Sequence, residues 1–192
     1  MKVSREQAAK NRDRIVETAS KLFRERGFDG IGVADLMKNA GLTHGGFYGH
    51  FKSKDDLAVQ ACASSLARSA ETWQALMRDH ADAPLAAILD HYLCDKHRDN
   101  AGRGCAYAAL AADVARQDNR TLRRVFSDGL RGMIDKLTRI VPGRSKAAQR
   151  KRALASLSGM VGAVVLARAV DDADLSREIL AATRAALMDG RT

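Results

Sequence analysis

A chain of 192 residues with 46% hydrophobic content and only two prolines is one or two folded, predominantly helical domains, long enough to bury a real core. Its formal net charge of +9 points to an anionic partner, without by itself separating nucleic acid from an acidic protein or a membrane surface. The N-terminus leads into charged sequence, the longest apolar run (159–167) is far short of the roughly 20 residues a spanning helix needs, and Cys62, Cys94 and Cys105 are odd in number and widely spaced; the expectation is a cytoplasmic chain with no signal peptide, membrane span or disulfide framework.

The recurrence of Ile15, Ala19, Leu22 and Phe23 predicts a first helix over about 5–26, ended by Gly27 in a left-handed conformation. A second helix starts after Gly32 and buries Val33, Leu36, Met37 and Ala40. Gly41-Leu42 makes a turn, and Thr43 is placed to cap a third, short helix running to about Gly49. Phe47 and Phe51, four apart, face the small core. Ser53 caps a long fourth helix, with Asp56 at the return position of a capping box and Asp55 favourable in the first turn. Beyond residue 54 the chain becomes a series of Ala/Leu-rich helices with breaks expected at 82–84, 96–104, 117–119, 142–143 and 171–174. No strand, internal repeat or low-complexity linker is expected. The division is therefore 1–53 and 54–192, all-α throughout.

Helix, glycine-containing turn and short second helix form the pattern of a helix-turn-helix DNA reader. Major-groove recognition needs a narrow helix with donors and acceptors at its N-terminal end, held in register by phosphate contacts. Thr43, His44, Tyr48 and His50 supply those groups. Lys52 and Lys54 supply charge at the next helix start, where free backbone N–H groups also favour phosphate. Residues 1–54 hold eleven Lys/Arg against six Asp/Glu, a net +5 of the chain's +9. A second basic cluster, Arg144, Lys146, Arg150, Lys151 and Arg152, reads as a solvated helix face.

Residues 10–57 resemble the N-terminal domain of the tetracycline-repressor (TetR) family of bacterial regulators. The resemblance rests on Ala19, Leu22, Phe23, Gly27, Phe28, Val33, Leu36, Ala40, Gly41, Gly45, Phe47, Tyr48, His50, Phe51, Lys52, Ser53, Lys54 and Leu57. It implies an all-helical dimer whose C-terminal domain holds a ligand pocket and a four-helix dimer interface. It further implies a repressor released from a palindromic operator by a small ligand. Carried onto this chain, the DNA-contacting set is Gly32, Val33, Thr43, His44, Gly45, Tyr48, His50, Lys52 and Lys54. The chain departs from the family in two places. Ile31-Gly32 stands where threonines often cap the second helix and touch phosphate. Gly46 and Gly49 join the expected Gly45 in the recognition helix, each costing about 1 kcal/mol against Ala in a helix interior. Close backbone approach to DNA and a helix firmed only by DNA binding both account for these glycines.

In the C-terminal part, a helix over 145–170 carries Leu154, Leu157, Val161, Val164 and Val165 with the small residues Ala153, Gly159, Gly162 and Ala163. The last helix carries Leu175, Ile179, Ala182, Ala186 and Leu187. In the family this helix pair forms the dimer. The bulky residues of the expected pocket are Trp73, Met77, Tyr92, Tyr107, Phe126, Met133 and Met160. Cys105 joins them: it follows Gly102-Arg103-Gly104 and precedes an apolar helical run, so it stands near a helix N-terminus beside Arg103. Those two features lower a thiol's pKa, and an oxidant- or electrophile-sensing regulator is an alternative to plain ligand release. A cysteine-dependent enzyme would need Cys105 paired with His80, His91 or His97 and lacks a nucleophile motif. A sequence-neutral architectural DNA binder would show no preference for an operator. His91, Cys94 and His97 have metal-like spacing, but positions 91 and 97 lie about 240° apart on a regular helix, so neither a metal nor any other cofactor is expected.

Overall fold

Ser4 opens the first helix by accepting the Gln7 N–H on its Oγ at 3.1 Å, and the helix, α1, runs Arg5–Arg26. The computed structural model describes residues 4–189; Lys2 of the basic N-terminal segment lies outside them. Ile15, Ala19, Leu22 and Phe23 are buried along one stripe, as their spacing predicts. Gly27 closes the helix at φ +74°, a conformation that L side chains rarely adopt, with its N–H returned to the Phe23 carbonyl. Helix α2 is Val33–Asn39, with Gly32 at its cap making no side-chain bond. Leu36, Met37 and Ala40 are buried, and Val33 is half-buried.

The third element is a 3₁₀ helix, His44–Gly49, rather than an α-helix. Its bonds step three residues, from Gly46 N–H to the Thr43 carbonyl (3.1 Å) and from His50 N–H to the Phe47 carbonyl (2.9 Å). Three glycines in six residues remove most of the drive to propagate an α-helix, and a short tight turn is what remains. Thr43 sits at the cap position but its hydroxyl makes no capping bond, which corrects the expectation.

Helix α3, Lys54–Asp79, begins as its sequence requires: Ser53 Oγ accepts the Asp56 N–H at 3.1 Å. The Asp56 carboxylate reaches back one residue further than a capping box, to the Lys52 N–H at 3.1 Å, and that bond, with Gln60, lowers the Asp56 pKa. The remaining helices are α4 Pro84–Tyr92, α5 Asp95–Asp99, α6 Ala106–Arg116, α7 Arg120–Thr138, α8 Lys146–Ala169 and α9 Ala173–Asp189, with a 3₁₀ turn at Ala101–Arg103. The breaks at 117–119 and 142–143 fall between helices, that at 82–84 does so up to Pro84, which opens α4, and that at 171–174 overlaps the start of α9 at Ala173. The segment 96–104, read as a break, holds α5 and the 3₁₀ turn instead. Arg168 of α8 stabilises this piece by donating to the carbonyls of His97 and Arg98, both at 2.8 Å.

All regular elements among the described residues are helical, so the fold is all-α. Helix α3 is the shared spine. It packs on α1 at one side and on α4, α6 and α7 at the other, while α8 pairs with α7 and α9. One hydrophobic core runs from Ile15 and Phe23 through Leu57, Leu89 and Leu122 to Val164 and Leu187. Helix α8 is, among the described residues, the one long and apolar enough to cross a membrane. It is packed against α6, α7 and α9 and opens with Arg150, Lys151 and Arg152.

Candidate nucleic-acid interface and ligand cavity

The 3₁₀ helix is seated by its aromatics. Phe47 and Phe51 are buried with ring centroids 5.7 Å apart, and Tyr48 stands edge-on to Phe47 at 5.3 Å. That packing leaves Tyr48 68% exposed, the most exposed large hydrophobic side chain among the described residues. His44 lies edge-on to Tyr48 at 6.4 Å. Of the predicted contacts, Gly32, Thr43, His44, Gly45, Tyr48 and Lys52 are exposed, while Val33, His50 and Lys54 are half-buried. None is covered by a neighbouring element. The structure adds Arg12, whose guanidinium lies 4.9 Å from the Phe51 ring centroid; its signal in the sequence was only one basic residue among several on α1.

Glycine here is not demanded by the protein's own packing. An added Cβ at Gly32, Gly45 or Gly49 would meet nothing within 4 Å, and at Gly46 only ordinary contacts with Met37 and Thr43. Gly41, at φ +69°, is the one glycine of the turn whose backbone requires it.

A cavity of about 590 Å³ opens between α1, α3, α4 and the 102–105 loop. Of the residues expected in the pocket, Trp73, Tyr92, Cys105 and Met133 line it. Met77, Tyr107, Phe126 and Met160 do not: Met77 is half-buried against the core, and the other three are buried in it. Tyr107 has a local reason, since its hydroxyl donates to the Phe126 carbonyl at 3.1 Å and its ring stands edge-on to Phe126 at 5.3 Å. Sequence reading missed the polar wall, which includes Arg24, Ser65, Arg68, Ser69 and Thr72. The available signal was a charge inside an apolar stripe: Arg24 follows Phe23 and stands one turn after Ser20, and both Ser20 and Arg24 are buried.

Cys105 is the N-cap residue of α6 and is buried. Its charged neighbours are Arg24 and Arg168, while Arg103 is exposed. Its backbone N–H donates to His97 Nε2 at 2.9 Å, and His97 Nδ1 bonds the Tyr92 carbonyl at 2.7 Å. That pair of bonds assigns the neutral imidazole with hydrogen on Nδ1. Burial, partly offset by the Tyr92 carbonyl, and the nearby Arg168 hold its pKa down to about 4. Both ring nitrogens are therefore spent on backbone, and His97 does not serve the Cys105 thiol as a base. The same bonds take His97 out of any metal set, although the helix assumed for the spacing argument breaks between Tyr92 and Asp95.

An all-helical chain with a short exposed reading helix near its N-terminus and a cavity-bearing helical body behind it defines the class of helix-turn-helix regulators. Residues 15–61 match the family described as bacterial regulatory proteins, tetR family. A helix-turn-helix-type transcriptional regulator of Staphylococcus aureus is 33% identical over 97 residues, covering 50% of this chain and 52% of that protein. A TetR-family regulator from Agrobacterium tumefaciens superposes with a TM-score of 0.80 at 22% identity, over 95% of this chain and 98% of that one. The reduced form of NemR from E. coli superposes with a TM-score of 0.78 at 22% identity, over 94% and 96%. Residues 15–61 thus match the N-terminal segment of the TetR family of transcriptional regulators, and the chain as a whole has the fold of solved TetR-family members. Its matches span 27% to 52% of the length of the first curated relatives.

Proposed function

We propose that this protein is a cytoplasmic homodimeric repressor that binds a palindromic operator and is released from it by a small ligand. Residues 1–53 read DNA, and 54–192 dimerise and hold the ligand. The observation that carries the reading is the 3₁₀ helix itself: Tyr48 and His44 exposed above a buried Phe47–Phe51 pair, next to Lys52 and Lys54 at the capped start of α3. Thr43, His44, Tyr48 and His50 supply groups for base edges and phosphate, and Lys52 and Lys54 neutralise phosphates. Gly32, Val33 and Gly45 let the backbone come close. The test is selection of bound sequences from a random DNA pool by the purified protein, then gel shift with the selected site. Tyr48→Ala combined with Lys54→Ala is expected to weaken binding about tenfold or more with helical circular dichroism unchanged. Recovery of no shared sequence would sink the reading.

A second reading is favoured by one observation: Cys105 lines the cavity. A solved structure of similar fold is that of the reduced form of NemR from E. coli. On this reading a thiol-reactive compound is the releasing signal. Operator release by such a compound in the native protein and not in Cys105→Ser supports it, and equal release in both removes it.

A further inference from the structure

Arg24 is a buried cation without an anion. It is 7% exposed and makes no ion pair among the described residues. Its Nε (3.1 Å) and Nη2 donate to the Gly102 carbonyl, and its Nη1 donates to Ser20 Oγ at 3.0 Å. A guanidinium has five N–H donors, so two are left over. Arg68 donates to the same Ser20 Oγ, at 2.9 Å. Two guanidinium groups that line the cavity thus converge on one neutral hydroxyl, that of Ser20. Burial, and then Arg68, bring the Arg24 pKa down to about 10.

The nearby acids do not resolve this. Glu17 stands 3.9 Å from Arg68 Nη1 and is mostly exposed, where pairing is worth little. Glu25 is paired with Lys21 at 3.8 Å. Cys62 is pushed up to about 12 by burial and stays a neutral thiol. An uncompensated buried charge is strongly unfavourable, and a carboxylate is the partner that a guanidinium fork fits best.

The facing wall has the opposite character. Trp73 and Tyr92 are buried edge-to-face at 6.3 Å. The Tyr92 hydroxyl lies beside the Cys105 side chain, with no hydrogen-bond partner of good geometry among the described residues. It is 3% exposed and lines the same cavity. A volume of about 590 Å³ falls within the range of small-molecule sites.

We propose that the cavity binds a small organic carboxylate, its anionic head held by Arg24 and Arg68 and its apolar body against Trp73 and Tyr92. This deepens the ligand-release reading above and rests on it. The apolar wall asks for an organic body, which inorganic phosphate lacks. Because Arg24 belongs to α1 and its present acceptor belongs to the 101–104 loop, the ligand head competes for the bond that ties the two together. The loop lies close on the helix there: a Cβ at Gly102 would collide with the Glu25 carboxylate.

Trp73 is the chain's single tryptophan, so its fluorescence reports the cavity directly. The full chain is titrated at constant ionic strength with phenylacetate and hexanoate, with their neutral amides, and with inorganic phosphate. The expected result is saturable binding of the acids, at least about tenfold tighter than the amides. Arg68→Gln, at a position 46% exposed, is expected to erase the preference while amide binding persists, provided that circular dichroism shows it folded. Arg24→Gln is expected to do the same, provided that circular dichroism shows it folded. Equal binding of acids and amides would overturn the carboxylate assignment and leave the ligand cavity standing. Phosphate binding as tightly as the acids would overturn the organic body. No response to acid or amide at millimolar concentration would remove the ligand cavity itself and this proposal with it.

Discussion

At the scale of single residues, the glycines of the reading helix separate two physical demands. Gly27 and Gly41 carry positive φ and are required by the backbone. Gly45 and Gly49 carry no such angle, and an added methyl would meet nothing. Gly49→Ala is therefore expected to leave stability unchanged or to raise it by up to about 1 kcal/mol in urea unfolding. If the missing side chains make room for DNA, the same variant binds its operator about tenfold more weakly or worse in a gel shift. Undiminished affinity would instead mean that these glycines serve a helix that firms up on DNA. His97 offers a second residue-level prediction. Its folded pKa, about 4, lies below its ordinary 6.5, so between those values the unfolded chain binds more protons. The neutral ring's contribution is fully present above pH 6.5 and is lost as pH falls towards 4. Up to about 3 kcal/mol is at stake for this half-buried ring. Urea midpoints measured from pH 7 to pH 4 are expected to fall more steeply for the native protein than for His97→Gln, and parallel slopes would refute the assignment.

At the scale of elements, α1 is clamped to the body through its C-terminal end. The Phe28 N–H donates to Asp113 Oδ2 at 3.2 Å, and Arg116 holds the other oxygen at 2.6 Å. Asp113→Ala is expected to cost about 1–2 kcal/mol and to speed hydrogen exchange at the Phe28 amide, while exchange within α8 stays slow. Unchanged exchange at Phe28 would show the bond to be unimportant. Such a clamp was not legible beforehand, because it joins residues 85 apart in a chain with no repeat to align them. What was legible is local. The stripe Ile15–Ala19–Leu22–Phe23, the Gly27 stop and the Ser53–Asp56 cap all follow from spacing within one or two turns. The 3₁₀ form of His44–Gly49 was missed because helix type is decided by glycine content against a weak seat, not by apolar period. The cavity's aromatic wall was half-legible. Trp73 and Tyr92 line it, but Tyr107 and Phe126 were captured by each other's ring and backbone. Its cationic wall was hidden, because pairing Arg24 with Arg68 needs α1 and α3 side by side.

At the scale of the whole molecule, the decisive feature is what α8 and α9 leave uncovered. Ala153, Leu157, Ala163 and Val164 of α8 are buried in the chain's own core, as are Leu180 and Leu187 of α9. Leu154, Val165 and Leu166 of α8, with Leu175 and Met188 of α9, remain exposed, Leu166 by 56%. Positions 154, 158, 161 and 165 recur at helical spacing, so α8 presents a second stripe of apolar and small residues, exposed at 154, 158 and 165 and meeting the core at its edge through half-buried Val161. An exposed apolar surface of that kind marks an interaction site, and a self-complementary pairing of two such faces is what a two-fold dimer uses. A palindromic operator needs the same two-fold axis, with reading helices about 34 Å or a multiple of it apart. Val165→Asp, on that stripe and 42% exposed, is thus expected to place an unpaired charge in the pairing. Sedimentation at micromolar concentration should give about twice 20.8 kDa for the native chain and 20.8 kDa for the variant. Because Val165 is exposed on the monomer, helical content should be preserved, and palindrome affinity should fall together with the dimer. A variant that remains dimeric would place the two-fold axis on some other face and would dissociate this stripe from operator symmetry.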